Sequence, residues 1–182
     1  SVGTAHALVS SGLVKPVDGH LLQECAAGLL PIIVDRDVIS VRAPRGKIIP
    51  HDENTQTLLN AAIENMSTGA LLPALVSNGP LWWCIELKNE SAVRELKPLL
   101  ASISALTLAS TAVGLAVFAK ADNNNDAAGN YQLVVRAFCP ADNIPEDPVT
   151  GSANAAIAAL LHEKNALGNL GQRYIASQGR EV

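Results

Sequence analysis

The chain has 182 residues, a formal charge of −4, 48% apolar and 16% charged side chains, a composition that supplies a core and excludes a disordered chain. Its 13 Lys and Arg are scattered, which argues against a nucleic-acid surface, and its apolar runs are too short and too interrupted to span a bilayer as a helix. Aromatics make up only 3%, so the core must come from Ala, Leu, Val and Ile; Cys25, Cys84 and Cys139 form no CxxC pair and read as buried free thiols in a reducing, cytoplasmic setting without structural zinc.

Residues 2–11, VGTAHALVSS, have helical composition, with Gly12 as the stop. Strands are expected between 21 and 43: LLQECAAGLLPIIVD has a Gly break and a β-branched run, and VISVRAP alternates and ends at a proline. The turn-rich PRGKIIPHDEN, 44–54, is the expected domain boundary, dividing the chain into 1–50 and 51–182. TQTLLNAAIENM, 55–66, carries a cap-like Thr55 and a helical apolar pattern. PALVSN and LWWCIEL read as strands joined by the turn Asn78-Gly79-Pro80. ESAVRELKPLLASIS reads as an amphipathic helix interrupted at Pro98, and LTLASTAVGLAVFAKA as strand in its second half, near Val113 to Ala119. DNNNDAAGN, 122–130, reads as a polar hairpin tip, YQLVVRAFCP as a strong strand, and a helix follows from Gly151 to about His162. Strands and helices alternate irregularly, which points to α+β rather than a regular βαβ array. The start at Ser1 inside a helix and the end just past the strand-like Tyr174-Ile175-Ala176 suggest a fragment of a longer protein, with a processed mature chain as the alternative.

VGTAHAL at 2–8 echoes TGSANAA at 150–156, pairing Gly3 with Gly151, Thr4 with Ser152 and His6 with Asn154, each opening a helix. A duplicated half-domain is the expectation, with chance likeness of common residues as the alternative. The second helix, apolar all round from Ala153 to Leu161, is expected to be buried. Its first N–H groups lack intrahelical partners; Thr150 or Ser152 can cap one, and the rest are free to hold an anion. Gly151 lets a ligand approach the backbone, and Pro148 fixes the chain after Asp147. Asp147 then serves either as an acid cap, with Glu146 solvated, or as a group for proton transfer or hydrogen bonding in a pocket, and Arg136 on its strand is read as a structural ion pair with Asp147 or Glu146.

The remaining candidates read as structural. His6 is a helix histidine before it is a base, His51-Asp52-Glu53 lacks metal-ligand geometry, and His20 and His162 read as exposed. Of Trp82-Trp83, alternating along a strand, one ring is expected to pack inward.

RAFCPADNIPEDPVTGSANAAIAALL resembles the signature of the phenazine-biosynthesis PhzF-like family, a pattern of R-x-F-x-P, a short loop and E-D-P-V-T-G-S-A, carried here by Arg136, Phe138, Pro140 and 146–153. VSNGPLWWCIEL is similar to its V-S-T-G strand, with Asn78 where Thr is usual, and Ser177-Gln178-Gly179 to the start of a Q-G-x-x-x-G-R-P-S motif. The resemblance implies a diaminopimelate-epimerase-like α+β fold with two pseudo-symmetric halves, each a sheet curled around a central helix and here incomplete. It implies a homodimeric, cofactor-independent isomerase moving a proton on a small anionic substrate, or a non-catalytic binding or scaffolding relative of the same fold. Under it, Asp147 and Ser152 match active-site positions, while Gly151, Ala153, Gly3 and Thr4 offer backbone N–H groups to a substrate carboxylate. The principal Glu and the His of a Gly-His motif would lie before Ser1, and G-R-P-S after Val182. No cysteine lies at either helix start, so a two-thiol racemase is not expected.

Overall fold

The computed structural model describes residues 2–25, 28–36, 38–122, 131–171 and 173–182; the hairpin tip expected at 122–130 lies outside them except for Asp122. The chain separates into two compact units, Ser1–Arg45 and Gly46–Val182. The division at 50/51 read from the sequence puts Lys47–Ile49 with the first unit, yet these residues pair with the second unit's sheet.

In the first unit, α1 (Val2–Ser10) ends at Gly12, whose φ of +70° is the left-handed turn that favours glycine. β1 (His20–Cys25), β2 (Gly28–Asp35) and β3 (Val38–Val41) then form an antiparallel meander in the register Leu21–Ile32–Val41. α1 packs on β3, and Ala5 and Ile32 are buried. Cys25 is exposed rather than buried as expected, because it sits at the hairpin end opposite Gly28.

The second unit is built on one mixed sheet. Its strands are β4 (Lys47–Ile49), β5 (Ala74–Ser77), β6 (Leu81–Glu86), β7 (Gly114–Lys120), β8 (Leu133–Cys139), β9 (Ile144–Asp147) and β10 (Ala176–Ser177). The order is β10-β8-β7-β6-β5-β4, with β9 also on β8. β6 and β7 run parallel, as do β8 and β10, and the other neighbours are antiparallel. The parallel step from β6 to β7 needs a crossover, supplied by α3 (Glu90–Arg94) and α4 (Leu100–Ser110). Pro98 falls between these helices, as expected, but α4 runs on through Ser110 before the expected strand begins at Gly114.

Both faces of the sheet are covered, and the period-two alternation of strands explains why nearly every strand residue is apolar. Trp83, Ile85, Leu115, Val117, Val134 and Phe138 meet α4 and α2 (Glu53–Ile63) on one face. Trp82, Cys84, Ala116, Phe118, Val135 and Ala137 meet α5 (Gly151–Glu163) on the other. Both tryptophans are therefore buried, where the sequence reading expected one. The cap of α2 also differs from expectation: the Asp52 carboxylate accepts the Thr55 N–H at 2.8 Å, so Asp52 is the N-cap and Thr55 lies inside the helix. That hydrogen bond holds the Asp52 carboxyl below the usual carboxylate range. His51 packs its ring edge-on against Trp83 and bonds Gln56, a structural setting.

The central helix α5 buries Ala153, Ala156, Ile157, Leu160 and Leu161, one stripe at helical spacing, while Ala155, Ala158 and Ala159 are half-buried. The all-round burial expected for it is thus confined to one face. Its small side chains permit close approach: a Cβ at Gly46 would run into that of Ala159.

Candidate active site

β9 and the first turn of α5 carry the residues singled out by the sequence. Pairing of β9 with β8 through Ala137–Asp147 sets Asp147 at the end of a strand, with Pro148 leading out of it. Its neighbour Glu146 is not solvated. Arg136, on β8, donates to both Glu146 oxygens, Nε to Oε1 at 2.8 Å and Nη2 to Oε2 at 2.7 Å. The same guanidinium donates from Nη1 to the carbonyls of Val93, in the last turn of α3, and of Leu96, just beyond it. Arg136 therefore ties β9 to α3 and fixes the strand on which Asp147 sits.

Asp147 is half-buried. Its Oδ2 accepts the Thr150 hydroxyl at 2.6 Å, and its Oδ1 has only a long contact to the Val149 N–H at 3.4 Å. Thr150 is the residue before the helix, but its hydroxyl is spent on Asp147, and no side chain caps α5. Neither Thr150 nor Ser152 is thus the cap that the sequence allowed for, and the first-turn N–H groups stay open at the positive end of the helix. Gly151 is exposed, and nothing lies within 4 Å of the place a Cβ would take.

Ser152 faces the sheet. Its Oγ accepts the Trp82 indole N–H at 3.1 Å, and its carbonyl accepts the Asn78 side-chain amide at 2.8 Å. With the indole proton filling one lone pair, the Ser152 hydroxyl keeps its own proton to donate. Ala153 is buried and contributes only backbone. Gly3 and Thr4 lie exposed in the first turn of α1, so the two echoing segments both open helices. His6 lies in α1 and contacts Ser10 Oγ through Nδ1, exposed.

Three further residues shape this helix start. Asn78 and Trp82 anchor Ser152, and Gln178 reaches the Asp147–Thr150 turn from the far end of the chain. The near-match VSNG flagged Asn78 in the sequence, whereas nothing local points from Gln178 to a turn 28 residues away. Cys139, at the start of the turn into β9, is pushed up to about 11 by burial, with the Asp147 and Asp142 carboxylates adding to the effect. It is a packed thiol, not a nucleophile at neutral pH. Among the described residues, no three His, Cys, Asp or Glu side chains cluster in a way that could hold a metal ion.

The chain is 28% identical over 169 residues to antisense-enhancing sequence 1 of Schizosaccharomyces pombe, covering 88% of this chain and 55% of that protein. It is 28% identical over 194 residues to an uncharacterized isomerase of Clostridium acetobutylicum, covering 97% of this chain and 62% of that one. It therefore spans little more than half the length of these curated relatives. Among solved structures, a PhzF-family phenazine biosynthesis protein of Bacillus anthracis superposes with a TM-score of 0.70 at 21% identity, covering 99% of this chain and 62% of that chain. This likeness shows the α+β, diaminopimelate-epimerase-like fold that the sequence led us to expect. The whole of residues 1–182 matches the family model described as phenazine biosynthesis-like protein, and the chain belongs to that family.

Proposed function

We propose that the chain carries part of the active site of an isomerase that moves a proton on a small carboxylate-bearing substrate without an organic cofactor or metal. The observation that carries this reading is the Asp147–Thr150 bond beside an uncapped helix start. The Thr150 hydroxyl holds one carboxylate oxygen and leaves the other available to a substrate amine or a mobile proton. The N–H groups of Gly151 and Ala153 are suited to a carboxylate, and the Ser152 hydroxyl to a hydrogen bond on the same ligand. By the likeness of the two segments, Gly3 and Thr4 in the first turn of α1 take a carboxylate in the same manner. The name of the Clostridium relative supports the reaction class. Three unpaired cysteines support a reducing, cytoplasmic setting.

The test is C–H to C–D exchange. The full-length protein is incubated in D2O with a panel of small carboxylic acids bearing an α- or β-proton and followed by 1H NMR. Exchange is expected on at least one of them without added cofactor, and Asp147→Asn is expected to slow it by about a hundredfold or more. Wild-type exchange in that variant removes Asp147 from the chemistry. The Schizosaccharomyces relative is named for antisense enhancement and not for a reaction. This favours a second reading, a binding or scaffolding relative of the same fold, which ligand binding with no exchange on any panel member would support.

A further inference from the structure

Gln178 follows directly on the short last strand and makes four hydrogen bonds, three to the turn that carries Asp147 and one to Asn154 in α5. Its Nε2 donates to the Asp147 carbonyl and to the Thr150 hydroxyl oxygen, each at 2.9 Å. Its Oε1 accepts from the Asn154 amide at 2.8 Å and from the Thr150 N–H at 3.3 Å. The partners settle which end of the amide is which. Asn154 Nδ2 also donates to the Thr150 carbonyl at 3.0 Å, so it faces Gln178 as a donor, and the Asp147 carbonyl can only accept. A flipped Gln178 would set donor against donor and acceptor against acceptor.

The orientation fixes the next link. The Thr150 oxygen accepts an N–H from Gln178 and its own O–H donates to Asp147 Oδ2, at 2.6 Å a short, charge-assisted bond. The chain of donors runs one way: Gln178 amide, Thr150 hydroxyl, Asp147 carboxylate. Gly179 lets the strand lie this close, since its φ is +83° and a Cβ there would run into the Pro148 carbonyl oxygen.

We infer that Gln178 is a positioning residue for Asp147, acting through the Thr150 hydroxyl to hold one carboxylate oxygen and present the other. This rests on the reading of Asp147 as acting on substrate. The test uses the full-length protein and the panel acid that exchanges fastest in D2O, with kcat and KM measured for Thr150→Val, Thr150→Ser, Gln178→Met and the Thr150→Val/Gln178→Met double variant. Thr150→Val and Gln178→Met are each expected to lower kcat about tenfold with KM little changed, the effect of one orienting hydrogen bond. Thr150→Ser keeps the hydroxyl and is expected to stay within about twofold of wild type. The double variant is expected to be no slower than Thr150→Val, because the second change removes nothing that still acts on the Asp147 carboxylate. Multiplying losses in the double variant, or a wild-type kcat in Gln178→Met while Asp147→Asn is inactive, overturns this inference alone. Wild-type exchange in Asp147→Asn overturns the reading beneath it.

Discussion

At Gly151 the requirements of folding and of the proposed carboxylate binding come apart. The residue stands in the first turn of α5, is exposed, and faces open space where a side chain would go. An alanine there meets no neighbour and restricts the unfolded chain, so Gly151→Ala is expected to leave stability unchanged or raise it by up to about 1 kcal/mol. A methyl group at the helix mouth would nevertheless obstruct a carboxylate approaching the N–H groups. The variant is expected to melt at or above the wild-type temperature and to show a raised KM in the exchange assay. An unchanged KM would move the substrate away from this helix start. The sequence picked out Asp147, Gly151 and Ser152 as candidates because they lie within one short, chemically distinctive stretch. It could not decide where the Thr150 hydroxyl goes. That is settled by competition between a helix N–H and a carboxylate, and by Gln178, whose partners are 28 and 31 residues away. At Asp52 and Thr55 the same kind of competition went the other way from the reading, since either residue type caps a helix well.

Among elements, β9 depends on an ion pair more than on its own residues. Ile144–Asp147 is short and lies between Asn143, at a φ of +59°, and Pro148, so little in it declares a strand. What holds it is Arg136, with side-chain exposure of 7%, against Glu146, at 13%. Arg136→Met would strand the Glu146 carboxylate and take a donor from the Val93 and Leu96 carbonyls, a loss expected at about 3–5 kcal/mol. Adding Glu146→Gln removes the stranded charge and is expected to recover part of that loss, as read from urea midpoints. Equal destabilisation of the single and double variants would show that the carbonyl contacts, not the ion pair, hold the strand. The longer strands were legible for the opposite reason: β7 and β8 are apolar on both faces because helices cover both sides of the sheet. The same two-sided cover hid the fate of Trp82 and Trp83, since alternation suggests one wet face and this sheet has none.

For the whole molecule, the two units have very different resources. Every residue of both core clusters lies in Gly46–Val182, whereas Ala5 and Ile32 are the buried apolar residues among those described in Ser1–Arg45. A 45-residue piece with so little core falls near the size below which chains rarely fold without disulfides, metals or partners. Residues 46–182 expressed alone are expected to unfold cooperatively in urea, and residues 1–45 alone to show no transition. A cooperative transition in the shorter piece would mean that its hairpins are far more stable than their burial indicates. The α+β class was legible from irregular alternation of elements, but the point of division was not: Lys47–Ile49 reads as linker by its flanking prolines and belongs to the sheet by its pairing with β5.

The separation of Gln178 from the turn it bonds, 28 and 31 residues, has a consequence during synthesis. The chain leaves the ribosome from its N-terminal end, so the sheet strands through β9 and all of α5 are available to fold before Gln178 emerges. A nascent chain, or one clipped by a protease ahead of Ala176, keeps most of the second unit's core yet has an acid whose hydroxyl partner is untethered. With Gln178 positioning Asp147 as inferred, alignment of the acid would be reserved for chains translated past Gly179, and a shortened product is expected to lose exchange activity before it loses stability.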